Sequence, residues 1–280
     1  MLSMDKNDFL KKLQSTLSSF ESAVSTDEKE WIIKGFIDVY KNVYTISLDT
    51  KIISKVMELL LFPLMQKFAE ENNLELELSP EQNFYPDLTF VDKKDGRLFA
   101  VDIKTTYRIG DDKINGMTLG AFTGYFRKRE STKNIAYPYS RYSGHFVLGV
   151  IYSQSENNID ERKIYSVADL DEIPSVIHDF KFFAQPKYKI AAARPGSGNT
   201  KNIGSITDLE KILNGKGPFS ELGEEVFDDY WEFYLTSDMA SHLETSRPYT
   251  NLKEYVEYKS RNSDVLKNLK DKIGQSEELK

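Results

Sequence analysis

The sequence predicts an α/β domain in which a central mixed sheet is flanked by helices. Helical spacing dominates both ends of the chain, strand-like alternation dominates the middle, and one long apolar run there suits a strand buried on both faces. DFLKKLQSTLSSF, residues 8–20, sets Phe9, Leu10, Leu13, Leu17 and Phe20 at helical spacing. Ser25 with Glu28 has the form of a capping box and predicts a second helix. A third runs from Asp49 through DTKIISKVMELLLFPLMQKFAEENN. LELEL at 74–78 alternates as a strand does, and strands follow around Asp87 and Asp102 with Asp95-Gly96 as the turn signal. HFVLGVIYS at 145–153 is the apolar strand, and YKIAAA at 188–193 reads as another. It leads into RPGSGNTKNIGS, a Gly/Asn/Ser loop at about 194–205. Thr207 with Glu210 predicts a cap for a short helix ending at Gly215, and helices are expected at about 224–236 and 251–273. The last dozen residues are expected to fray.

The chain has 280 residues, 40% of them hydrophobic, which is enough for one domain over 1–280 with helical N- and C-terminal extensions. There is no cysteine, so disulfide and thiolate chemistry are excluded. His145, His178 and His242 are too scattered to suggest a zinc site. The longest apolar run, Leu59 to Met65, contains Pro63 and is too short for a membrane span. The N-terminus has no signal-peptide pattern, so a soluble cytoplasmic protein without a membrane partner is expected.

Net charge is −7, which argues against a polyanionic partner, but its distribution argues back. Between Phe180 and Thr207 there is no acid, yet Lys181, Lys187, Lys189, Arg194 and Lys201 are present. A second cluster holds Arg127, Lys128, Arg129, Lys133 and Arg141. Local potential rather than net charge steers a polyanion, although solvated faces of mixed sign produce the same pattern.

The most informative stretch is YPDLTFVDKKDGRLFAVDIKTTY, residues 85–107. Asp102 and Lys104 lie two apart on a strand and so share a face, roughly 7 Å apart. A turn at Lys94-Asp95 pairs Asp87 with Asp102, whereas one at Asp95-Gly96 pairs Asp87 with Lys104. In either register Asp87, Asp102 and Lys104 converge, with opposed residues roughly 5 Å apart. Two carboxylates that close repel each other. Mg²⁺ between them removes the repulsion, keeps several waters and is commonly shared with a phosphate. Lys104 alongside suits holding an attacking water or stabilising charge on a phosphorane, which is phosphodiester hydrolysis. The bland alternative is a surface ion pair on a half-exposed strand. Glu58 stands in a helix segment that is otherwise mostly apolar, where a carboxylate is costly unless paired or near a metal. It equally suits a solvated helix edge shared with Lys51, Ser54 and Lys55.

Asp87, Asp102 and Lys104 match the PD-(D/E)XK nuclease motif, and the chain resembles the EcoRV-type restriction endonuclease family. The matching segments are LDTKIISKVMELL, QNFYPDLTF, AVDIKTTY, TLGAFTGYFR with STKNIAYP, GSGNTKNIGS, and GKGPF followed by DYW, in the family's order over about residues 46–258. The resemblance implies a restriction-endonuclease-like core. It implies metal binding by Asp87 and Asp102, assistance to the attacking water by Lys104, and an auxiliary acid at Glu58. It implies a major-groove loop of Gly196, Ser197, Gly198, Asn199 and Thr200, with Lys201 in the same loop. Gln82 and Asn83 fall on a loop that approaches the minor groove, and Thr105, Thr106 and Lys133 near the DNA backbone. It further implies a homodimer on double-stranded DNA that cuts GATATC bluntly between T and A, and it leaves room for a DNA methyltransferase acting on the same site. Lys201 stands where the family has threonine and Phe84 where it has histidine, which puts the target sequence, not the catalysis, in question. Two other classes remain: a structure-specific repair or recombination nuclease on the same core, and a DNA-binding module without turnover.

Overall fold

The computed structural model describes residues 4–81, 83–156, 160, 162–196 and 200–261. In chain order the elements are α1 (Lys6–Ser15), α2 (Leu17–Val24), β1 (Gly35–Ile37), β2 (Asn42–Thr45), α3 (Thr50–Glu71), β3 (Leu74–Leu78), β4 (Leu88–Asp92), β5 (Leu98–Tyr107), β6 (Thr118–Ala121), β7 (Tyr142–Gln154), β8 (Ile164–Ser166), β9 (Ile177–Pro186), α4 (Lys187–Ile190), β10 (Ala191–Pro195), β11 (Asn202–Ser205), α5 (Leu209–Leu213), α6 (Glu224–Phe233), α7 (Ser237–His242) and α8 (Leu252–Ser260). They divide between two compact units, Met1–Leu78 with Pro86–Asn115 and Ser143–Ala184, and Ser79–Tyr85 with Gly116–Tyr142 and Gln185–Lys280. The α/β class with a central mixed sheet flanked by helices is as expected.

The first unit is built on a sheet of order β3-β4-β5-β7-β9, whose first three strands form an antiparallel meander. Helix α3 starts at the Asp49 cap, whose carboxylate accepts from the Lys51 and Ile52 N–H groups. Ile53, Met57, Leu61 and Met65 recur every four residues, and all are buried with Phe90, Phe99 and Val101. The N-terminal extension belongs to this core. The Phe9 ring stacks on Phe99 at 4.5 Å and meets Phe146 at 5.1 Å and Phe68 at 5.7 Å. Each such buried ring contributes about 1.5–3 kcal/mol.

The helix expected at Ser25 does not form. Ser25 pairs with Trp31 across a tight turn in which the Thr26 N–H donates to Glu30 and Lys29 takes φ +64°. Trp31 is fully buried and its N–H donates to Ile177, so its burial overrides the local cap signal. The first helix also breaks, at Thr16, whose hydroxyl donates to the Leu13 carbonyl. A small sheet, β1-β2-β8, covers Val43 and Tyr165 on one face.

The second unit holds the antiparallel sheet β10-β11-β6 and an aromatic core of Phe122, Phe219, Phe227, Tyr230 and Trp231. Tyr230 donates its hydroxyl to Ala193, and Tyr249 donates to the Tyr230 carbonyl. The segment YKIAAA is helical through Ile190 and extended only from Ala191. The short helix is capped by Asp208 rather than Thr207. The helix expected to reach 236 stops at Phe233, because Tyr234 turns extended and Thr236 caps a new helix. Asn251 caps α8 as expected at that end. Residues 262–280 lie outside the described residues. No helix among the described residues is long and apolar enough to cross a membrane.

Candidate active site

The site is set by one hairpin of the first unit. The Asp92 N–H donates to Arg97 at 2.9 Å and the Gly96 N–H to Asp92 at 2.8 Å, closing a four-residue loop over Lys93–Gly96. Gly96 sits at φ +72°, where a side chain is strained. The register then runs Val91↔Leu98, Phe90↔Phe99, Thr89↔Ala100 and Leu88↔Val101. Of the two registers open from the sequence, this one carries Asp87 opposite Asp102. The turn is longer than the two-residue turn expected.

Asp87 lies one step ahead of β4, and its carboxylate accepts the Ile103 N–H at 2.7 Å. Asp102 is 8% exposed, and the Lys104 ammonium lies 2.6 Å from its carboxylate and 3.9 Å from that of Asp87. Burial, with the Asp102 charge added, pushes the Asp87 carboxyl up to about 7. Burial works against the Lys104 ammonium, but Asp102 and Asp87 outweigh it and hold it above the ordinary lysine range. An acid that resists ionisation beside a second carboxylate and a firmly protonated lysine is a poor stability arrangement. It is a good receptor for a hard cation and a phosphodiester.

Helix α3 brings one edge alongside. Ser54 and Thr105 share a short hydrogen bond between their hydroxyls, which ties the helix to β5. One turn on, Glu58 is half-buried and paired with Lys55 at 2.8 Å. Glu58 is therefore neither sequestered nor idle. It holds Lys55 above the ordinary lysine range, with a smaller contribution from Asp87, and its charge reaches Lys104. Ser54 and Lys55 were visible in the sequence only as residues on the Glu58 edge.

The other expected residues fall differently. Thr106 is buried and donates its hydroxyl to the Asn115 carbonyl, so its side chain is committed to the scaffold. Asn83, Lys133, Gly196 and Lys201 are exposed, and Thr200 is half-buried. Gln82, Ser197, Gly198 and Asn199 lie outside the described residues. The loop that contains the last three is closed by the Gly196 N–H donating to Asn202 at 3.0 Å. Gly204, which the sequence did not single out, shapes this stem. A Cβ on it would lie 2.7 Å from the Gly196 Cα, so the two strands meet backbone to backbone.

The basic clusters divide. Lys187 is buried, Arg129 pairs with Asp228 at 2.7 Å, and Arg127 donates to the Tyr234 carbonyl. Lys128, Lys133, Arg141, Lys181, Arg194 and Lys201 remain exposed.

A family model described as restriction endonuclease EcoRV matches residues 27–260, and the chain belongs to that family, whose members are type II site-specific deoxyribonucleases. It is 34% identical over 243 residues to the type II restriction enzyme EcoRV of Escherichia coli, covering 86% of this chain and 96% of that protein. NlaIV restriction endonuclease resembles it in structure at 12% identity and a TM-score of 0.41, over 88% of this chain and 92% of the other.

Proposed function

We propose that the protein is a Mg²⁺-dependent homodimeric endonuclease that cuts a short DNA palindrome, GATATC, bluntly between T and A. The observation that carries this reading is the opposition of Asp87 and Asp102 with Lys104 between them, in a chain of this family. Asp87 and Asp102 would hold the metal. The donor set fits: two hard carboxylates whose mutual repulsion a cation relieves. Mg²⁺ commonly takes only one or two carboxylates from a protein and the rest of its shell from water and phosphate. When bound, the ion supplies a Lewis acid to the scissile phosphate. Lys104 orients the attacking water and stabilises negative charge on the phosphorane as the water oxygen bonds to phosphorus, its proton passing to solvent, and the bond to a deoxyribose oxygen breaks, that oxygen taking a proton from solvent. Glu58, through Lys55, supports the field at the site's edge.

Recognition is assigned to the loop Gly196–Lys201 from the major groove and to Gln82 and Asn83 from the minor groove. Asn199 offers the donor and acceptor that match adenine, and the inner TA step is read through its ease of unstacking. Lys133, Thr105 and Thr106 are assigned to the DNA backbone, with the Thr106 hydroxyl held by the Asn115 carbonyl. Family membership across 27–260 supports reading the chain as one nuclease domain with this loop as its reader. A host carrying such an enzyme needs its own copies of the site protected, which is the reason to expect a methyltransferase partner.

Digestion of a plasmid of known sequence with Mg²⁺, and with EDTA as control, followed by end mapping, tests the reading. Fragments ending at one palindrome support it. Cutting at branched or damaged structures supports a repair nuclease, and binding without cutting a non-catalytic module. Gly204→Ala is expected to push the loop stems apart and to lower discrimination between the palindrome and its single-substituted variants by about tenfold. Cleavage of that panel by the variant checks this, and an unchanged ratio removes the loop from recognition.

A symmetric double-strand break needs two active sites, so a twofold dimer is expected. The β1-β2-β8 sheet supports this. Phe36, Tyr44 and Ile164 are cross-strand neighbours on its outer face and are 50%, 42% and 56% exposed. A second copy of the chain would cover this row. Phe36→Glu is expected to weaken self-association at least about tenfold, read by sedimentation at several concentrations. A variant that sediments as the wild type, or a wild type that is monomeric on cognate DNA with full activity, refutes the assignment.

A further inference from the structure

A lysine in the second unit has no part in the chemistry above. Lys187 is 2% exposed, so it cannot reach a phosphate. Its ammonium lies 4.7 Å from the centre of the Tyr85 ring and 5.8 Å from that of Phe126. A hydrocarbon side chain would fill this position without the cost of burying a charge. The charge adds a directional attraction for the two ring faces to its other interactions.

Those rings are fixed to the segments that carry the assigned DNA contacts. Tyr85 stacks on Tyr125 at 5.4 Å with 12° between planes. Its N–H donates to Asn134 and its carbonyl accepts from Ala136, which joins the loop bearing Asn83 to the segment bearing Lys133. On the other side is Gly120 of β6, at φ +96°. A Cβ there would stand 3.4 Å from the Lys187 Nζ and 3.3 Å from the Tyr125 hydroxyl. Strand β6 pairs with β11, and the Phe122 N–H donates to the Lys201 carbonyl. One buried ammonium thus lies where the Asn83 loop, the Lys133 segment and the stem of the Gly196–Lys201 loop meet.

We propose that Lys187 is a positioning residue for sequence discrimination: through Tyr85 and the close approach at Gly120 it sets the relative placement of the three DNA-facing segments, without touching DNA. This rests on the reading that those segments face DNA. The test is the ratio of kcat/KM on the preferred hexamer to that on its single-substituted variants, with folding checked by thermal melting. Lys187→Met is expected to lower the ratio about tenfold, and Tyr85→Leu to do the same. Tyr85→Phe keeps the ring face and is expected to retain the ratio. The double variant Lys187→Met with Tyr85→Leu is expected to lose little beyond either single, because both remove one interaction. If Lys187→Met does not fold, Lys187→Arg, which keeps the charge, and the two Tyr85 variants decide. An unchanged ratio in folded Lys187→Met or Tyr85→Leu, or an equal loss on every DNA, makes Lys187 a core residue only and overturns the proposal. Asn83→Ala and Asn199→Ala on the same panel separate the two levels. If both leave the ratio unchanged, the DNA-facing reading itself fails. If they change it and Lys187→Met does not, the positioning role alone fails.

Discussion

Asp87→Asn is expected to reduce DNA cleavage by at least about 10³-fold while making the metal-free protein more stable. The two effects share one cause. Asp87 is held beside Asp102, and burial with that charge raises its carboxyl to about 7 from an ordinary 3.8. The folded protein therefore binds a proton there more tightly than the unfolded chain does. Stability supplied by that proton is complete below about pH 4, falls as pH rises, and is gone above about pH 7. Asparagine removes the titration. The variant should melt higher than the wild type at pH 8, by the order of 1 kcal/mol once solvent access to Asp87 is discounted, and its melting should depend less on pH between 5 and 8. Added Mg²⁺ should raise the melting temperature of the wild type and not of the variant. Near-wild-type cutting by Asp87→Asn at matched Mg²⁺ would sink the site assignment. An unchanged pH dependence of melting would sink the electrostatic account of it.

Lys104→Gln is expected to abolish cleavage to a similar degree but to move stability the other way. Its ammonium is 2.6 Å from an Asp102 carboxylate that is 8% exposed. Removing the cation leaves two carboxylates facing each other with their positive partner gone, a loss of about 2 kcal/mol in the metal-free protein. Chemical denaturation of the two variants side by side reads the opposite signs directly. If Lys104→Gln is as stable as the wild type, the lysine is not the counter-charge that holds the patch together. If it also cuts normally, it is not part of the catalytic machinery.

Much of this site was legible before the fold. The 14 residues between Asp87 and Asp102 and the alternation of AVDIK bring both acids and Lys104 to one patch for any tight hairpin. The pattern could not choose the register, because a shift in the turn exchanges Asp102 for Lys104 opposite Asp87. That choice lies in Asp92, whose N–H and carbonyl close the four-residue loop. The partner of Thr106 was hidden for a related reason. Thr106 matches Thr105 in identity and spacing, but its hydroxyl is spent on Asn115, a contact that depends on where the following loop returns.

The sequence by itself determined the α/β class, the approximate span of α3, the strands of the central sheet that alternate or run apolar, and the convergence of Asp87, Asp102 and Lys104. These follow from short-range spacing, where the period of a helix or strand dictates which side chains share a face. Only the tertiary structure decided that Ser25–Glu30 turns instead of forming a helix, because burial of Trp31 outweighs a cap. It alone decided that Lys187 and Arg129 leave the basic clusters for aromatic and acidic partners, and that Phe36, Tyr44 and Ile164 line one open face. Burial and charge pairing are set by residues distant in sequence, and no local pattern reports them.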